Sequence, residues 1–243
     1  MSRIIREFLP YYDERPSKVK ALIIHCAAHS GKEMIEVLRE KQLSTHYIID
    51  EDGQIYQTVS ETKRAWHAGV SSWRNMDNLN HYSIGIELSS TSMGQSEYPF
   101  KQIDSLCKLS RQIIRHYQIP ATNIAAHSDV APTRKPDPGK AFPWQYLAAK
   151  GVGQWYDLKD KDKMQLDDVE KLLQIIGYNT SDLAAASYAF CRHFIPEAVS
   201  YNADIRAVIE NVYPQDFVLP AQYLPILKAV AWKYCKNAKK RLS

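Results

Sequence analysis

Three residues of metal-binding type, His25, His127 and Asp137, stand in contexts that could bring them together. His25 lies near the end of the apolar run Leu22-Ile23-Ile24-His25-Cys26, and His127 ends Ile124-Ala125-Ala126-His127. A buried imidazole needs a hydrogen-bond partner or a metal, because an unsatisfied polar group in a core is costly. Taken singly, each reads as a satisfied structural histidine. Two histidines at the ends of two strand-like runs shift that balance, since strand ends open onto the loops where sites are built. The chain then continues Ser128-Asp129-Val130-Ala131-Pro132-Thr133-Arg134-Lys135-Pro136-Asp137-Pro138-Gly139. Proline disfavours the α conformation in the residue before it, so Lys135 and Asp137 are expected to be extended. Residues two apart in an extended segment project to the same side, which turns Lys135 and Asp137 toward one site beside His127. A rigid surface turn with two solvated charges is the alternative for this segment alone.

Two histidines and a carboxylate fit catalytic zinc, which takes three protein ligands and keeps a fourth position open. Such a zinc lowers the pKa of its water to about 7 and polarises a carbonyl oxygen. That chemistry also needs a proton carrier and a positive charge. Glu87, in Ser83-Ile84-Gly85-Ile86-Glu87-Leu88, is a carboxylate in an apolar strand, where a salt-bridged or edge-exposed residue is an equal reading. Lys135 could face a developing oxyanion. Trp66 and His67, followed by Ala68-Gly69, suit a loop lining a substrate groove, with a core tryptophan as the alternative. His29, His46, His81, His116 and His193 read as structural or surface residues. Neither an HExxH helix nor a GxSxG elbow occurs, and 9 glycines leave little room for a phosphate-binding loop.

The elements that must position these groups read as α/β up to about Gly153. Lys20–Cys26 is an apolar run of the kind that forms a buried strand. His46–Ile49 and Gln54–Val59 flank Glu51-Asp52-Gly53, a hairpin turn signal. Ser83–Leu88 and Asn123–His127 are further strands. Ile103, Leu106, Ile113, Ile114 and Tyr117 recur at helical spacing along one amphipathic helix. Pro143-Trp144-Gln145 starts a short one. The expected architecture is a central mixed sheet flanked by helices, over residues 1–156. A charged linker (157–165, with Asp157–Lys163 at its centre) leads to a small all-α domain over 166–243. In that domain Leu166–Ile176 ends at Gly177, a C-cap residue. Asn179–Asp182 offers cap residues for a helix through Phe194. Helices over Ala203–Tyr213 and Ala221–Lys236 follow, with Leu172, Leu173, Phe190 and Ile205 as core positions.

Composition is that of an ordinary globular protein, with 45% hydrophobic and 24% charged residues among 243. The net charge of +4 is dispersed over 31 basic and 27 acidic residues and does not point to nucleic acid. The compact basic run Lys236–Arg241 reads as a solvated tail. Cys26, Cys107, Cys191 and Cys235 form no CxxC pair, which argues against a cysteine zinc site or a disulfide scaffold. Met1–Pro16 does not resemble a signal peptide, and no run reaches the about 18 apolar residues of a membrane span. A cytoplasmic location is the expectation, with the periplasm as the alternative if a leader has been removed.

From about Lys18 to Trp155 the chain resembles the zinc N-acetylmuramoyl-L-alanine amidases of the type-2 amidase family, relatives of the peptidoglycan recognition proteins. Six segments carry the resemblance in order: Ile24-His25, Ser44–Asp50, Arg64–Gly69, Ser83–Leu88, Ala126–Asp129, and Lys135–Gly139 with Phe142-Pro143-Trp144. The resemblance implies one Zn2+ on His25, His127 and Asp137, with Glu87 and Lys135 as the catalytic pair. It implies hydrolysis of the amide between N-acetylmuramic acid and L-alanine, in peptidoglycan or its (anhydro-)muropeptide fragments. Some phage-type members carry a tyrosine where Thr45 stands, so proton transfer falls to Glu87. The alternative is a non-catalytic peptidoglycan-binding or recognition protein of the same fold. The C-terminal helices resemble, more faintly, a small peptidoglycan-binding module.

Overall fold

The computed structural model describes residues 4–200, Asp204, Arg206 and 213–239. Its strands are β1 (Ile4–Arg6), β2 (Tyr12–Glu14), β3 (Ala21–Ala27), β4 (Tyr47–Ile49), β5 (Ile55–Gln57), β6 (Lys63–Ala65), β7 (Ser72–Trp73), β8 (Met76–Asp77), β9 (Ser83–Ser89) and β10 (Ile124–Ala126). Six of them form one mixed sheet in the order β1-β5-β4-β9-β3-β10. β4, β9, β3 and β10 are mutually parallel, and β5 returns antiparallel to β4 across the Asp-Gly turn. The helices are α1 (Gly31–Glu40), α2 (Phe100–Tyr117), α3 (His127–Val130), α4 (Trp144–Ala149), α5 (Val169–Ile176), α6 (Leu183–Phe194) and a last helix, Leu224–Lys239.

Both faces of the central strands are covered, which is why β3 and β9 read as apolar runs rather than alternating ones. Leu22, Ile24, Ile84, Ile86 and Leu88 face Ile103, Leu106, Leu109 and Ile113 of α2 and Trp144 and Leu147 of α4. Ala21, Ile23 and Ala125 belong to the opposite face, where they share a core with Leu172 and Leu173 of α5, Phe190 of α6 and Leu227 of the last helix. Farther along that face, Ile48 and Tyr56 pack with Met34 and Ile35 of α1. The period of two along β3 and β9 sets His25 and Glu87 on the face away from α2. They are register partners, and Ile24 pairs with Ala126, so His127 emerges beside His25.

The strands expected from the apolar runs are present, each within a residue or two at its ends. One difference matters for the site: His127 does not end a strand but opens the one-turn helix α3. Helix α1 has a signal in Ser30 and Glu33, which form a reciprocal capping box. The stretch 157–165 is itself ordered: Leu158–Lys163 is a 3-10 helix, and buried Asp160 pairs with Lys163 (2.5 Å) and with Lys233 of the last helix (2.8 Å). Gly177 caps α5 and Asp182 caps α6 through the Ala185 amide. Most of Ala203–Tyr213, with Ile205, lies outside the described residues, as does the end of the basic run. All four cysteines are free. No described helix is long and apolar enough to cross a membrane.

Candidate metal centre

His25 Nδ1 and His127 Nδ1 are 2.9 Å apart, and Asp137 Oδ2 lies 3.0 Å from His127 Nδ1 and 3.5 Å from His25 Nδ1. Three elements deliver them: strand β3, the first residue of α3, and the proline-flanked loop that follows α3. Tetrahedral ligands about 2.0–2.1 Å from zinc are roughly 3.3 Å from one another, so the triangle has the right size for one ion. Its chemistry fits as well. His127 Nε2 donates to the Ala68 carbonyl (3.2 Å), a group that can only accept. With that Nε2 proton as its only one, the ring turns its Nδ1 lone pair toward the Asp137 carboxylate. Two acceptors at 3.0 Å repel unless a cation sits between them. Among the described residues this is the group of three that could hold a metal.

The local field agrees with that reading. Burial, followed by the neighbouring His127, lowers the His25 pKa to about 4, which keeps it neutral and able to ligate. Burial alone would raise the Asp137 carboxyl, but positive charge and hydrogen bonding from the His127–His25 side hold it well below the usual carboxylate range, and with both rings neutral a cation on the triangle would have to supply that charge. Glu87 lies 3.9 Å from His25 Nδ1 through Oε1, while its Oε2 is buried without a hydrogen-bond partner among the described residues. Burial first, then the charge of Asp137, push its pKa up to about 8, against the opposing pull of Lys135. A cation on the triangle would draw that value back down.

A cavity of about 430 Å³ opens over the triangle, and Glu87, Lys135, Trp66 and His67 all line it. Lys135 and Asp137 thus line one cavity. The loop is a series of turns in which the Ala131 carbonyl accepts from the Arg134 and Lys135 amides. Trp66 donates its indole N–H to Asp13 Oδ2 (2.8 Å), so it is fixed at the rim by the β2 ribbon. Thr45 is buried and donates to the Gly85 carbonyl, a structural use of its hydroxyl. His46 is likewise structural, accepting the Gly85 amide on Nδ1 (3.0 Å). His116 is exposed on α2, whereas His29 also lines the cavity. His81 accepts from Arg64, and His193 is buried against Asp129. Residue types alone gave no sign of two supports: the Ala68 carbonyl, which is backbone, and Asn80, whose Oδ1 accepts the His67 and Ala68 amides.

Comparison with known proteins agrees with this geometry. A family model described as N-acetylmuramoyl-L-alanine amidase matches residues 15–140. The N-acetylmuramoyl-L-alanine amidase AmiD of Escherichia coli K12 is 42% identical over 217 residues, which span 77% of this chain and 79% of the relative. The 1,6-anhydro-N-acetylmuramyl-L-alanine amidase AmpD of Enterobacter cloacae is 44% identical over 107 residues, 44% of this chain and 56% of its own length. The solved complex of E. coli AmiD with anhydro-N-acetylmuramic acid-L-Ala-D-gamma-Glu-L-Lys superposes with a TM-score of 0.73 at 30% identity, covering 91% of this chain and 92% of that one. The match extends beyond the sheet into the C-terminal helices, and with the family model it settles the assignment: the chain belongs to the N-acetylmuramoyl-L-alanine amidase family.

Proposed function

We propose that the protein is a zinc-dependent hydrolase that cleaves the amide between N-acetylmuramic acid and L-alanine in peptidoglycan or its muropeptide fragments. One observation carries the proposal: His127 and Asp137 of the triangle line a single cavity with Glu87 and Lys135, and His25 lies directly beneath them, 2.9 Å from His127. AmiD, bound to a muramyl peptide, and AmpD, named for the anhydro sugar, support the substrate class.

His25, His127 and Asp137 would hold the ion, and zinc there would polarise the scissile carbonyl and acidify a water at neutral pH. Glu87, which lines the cavity, accepts the proton of the attacking water on its carboxylate. It then returns that proton to the departing nitrogen of L-alanine. The Lys135 ammonium faces the carbonyl oxygen as negative charge gathers on it. Trp66, fixed through Asp13, offers an aromatic wall to the sugar or peptide.

The test is mass spectrometry of defined muropeptides, with reducing and with 1,6-anhydro ends, incubated with zinc-loaded protein and with a chelated control. The expected result is release of a free stem peptide beginning at L-alanine, abolished by the chelator. The two sugar arms read the preference at the same time. Intact muropeptides in the presence of a full equivalent of zinc would instead favour a binding protein of this fold.

A further inference from the structure

The inner nitrogens of His25 and His127 face each other at 2.9 Å, and to hold one metal both must present lone pairs, so something must keep protons off both. For His127 it is the Ala68 carbonyl. For His25 a longer chain of hydrogen bonds does the same. Ser83 Oγ donates to the Leu79 carbonyl (2.6 Å), which uses its one proton. Toward His67 Nε2, 3.2 Å away, Ser83 can then only accept. His67 carries its proton on Nε2 and presents a lone pair at Nδ1, 2.9 Å from His25 Nε2. His25 must donate there, and its own Nδ1 is left bare toward His127 and Asp137.

We infer that the dipeptide His67-Ala68 is a positioning device for the metal site, setting both histidine ligands in the Nε2–H form through one side chain and one carbonyl. The inference rests on the metal-site reading above. Two features show that the device is built in. The His67 ring fits only because position 85 lacks a side chain, since a Cβ there would lie 2.5 Å from the ring. Asn80 accepts both amides of the dipeptide, at 3.1 and 2.7 Å, and fixes its backbone. His67 thus serves the site from behind His25, a role beyond that of a groove wall.

The experiment measures zinc affinity by competition with a chelating dye, together with nitrogen-15 histidine spectra of the zinc-free full chain. In the wild type, His25 is expected in the single Nε2–H form. His67→Ala should weaken zinc binding roughly 10- to 100-fold and give His25 mixed tautomers. Ser83→Ala should act in the same direction more weakly. His67→Asn, which restores an acceptor near Nδ1, should recover part of the loss. Unchanged affinity in His67→Ala, or equal losses in His67→Ala and His67→Asn, would overturn the inference. Zinc binding that survives His25→Ala would overturn the metal-site reading itself, a separate outcome.

Discussion

Glu87 and Lys135 share one cavity but predict different phenotypes, because one is poised as an acceptor and the other as a charge. Lys135→Ala removes a single oxyanion partner, so kcat should fall roughly 10²-fold or more. Steady-state kinetics on a muropeptide decides it, and an unchanged kcat would refute the role. Glu87→Gln keeps the shape of the side chain but not its basicity. The variant should bind one zinc per chain, measured by metal analysis, and release no peptide; loss of the metal would make Glu87 a structural residue. His46 offers a test outside the catalytic set. Burial, then Arg15, lower its folded pKa to about 3, while the unfolded chain titrates near 6.5. Between those values the unfolded state binds the extra proton, so stability is lost as pH falls through that window. His46→Asn, which keeps an acceptor for the Gly85 amide, should flatten the acid limb of the stability curve in urea titrations from pH 7 to pH 4. An unchanged slope would mean that His46 is protonated in the folded state too.

Strand β9 shows how one element can serve several parts of a site. Its odd positions present Ser83, Gly85 and Glu87 to one face, and its even positions put Ile84, Ile86 and Leu88 into the core beneath α2. Gly85 is the spacer between the hydroxyl and the carboxylate. Gly85→Ala would press a methyl onto the His67 ring at 2.5–2.8 Å. The expected cost is about 1–3 kcal/mol of stability, with weakened zinc binding, read by thermal unfolding and by metal titration. Full zinc affinity in that variant would argue that the ring tolerates displacement. Much of this was legible in the sequence: the apolar runs gave the strands, and Ile24-His25 and Ala126-His127 gave two candidate ligands, one on β3 and one just past the end of β10. Two parts were not. The Ala68 carbonyl, which accepts from His127 Nε2, is backbone, and no periodicity records a backbone acceptor. The part His67 plays depends on Ser83 having spent its proton on Leu79, a contact that exists only after folding.

At the scale of the whole molecule, the C-terminal helices reach the site through Asp129, two residues beyond His127. The Asp129 carboxylate is fully buried and accepts the Ala126 amide, His193 Nδ1–H and the Tyr178 hydroxyl at 2.7–2.8 Å. Tyr178 follows α5 and His193 lies in α6, so α3 is gripped from the far side of the 157–165 stretch. Tyr178→Phe deletes the one described partner of Oδ1 and should cost about 1–3 kcal/mol. In a chain of this size that is a fall in Tm of roughly 2–10 °C, measurable by calorimetry. A melting point equal to the wild type would show that the grip carries no weight. Leu172, Leu173 and Phe190 are fully buried in the same core and are closed to any ligand.

That shared core has a consequence for anyone who would take the protein apart. Severed near residue 156, the chain would present to water the apolar face now hidden by α5, α6 and the last helix, with Ala21, Ile23, Trp73, Leu79 and Ala125 among its residues. An uncovered patch of that kind drives chains to aggregate. The helical third is therefore a lid on the enzyme's own sheet, and swapping it as a cassette between relatives would mean transplanting the residues beneath it as well.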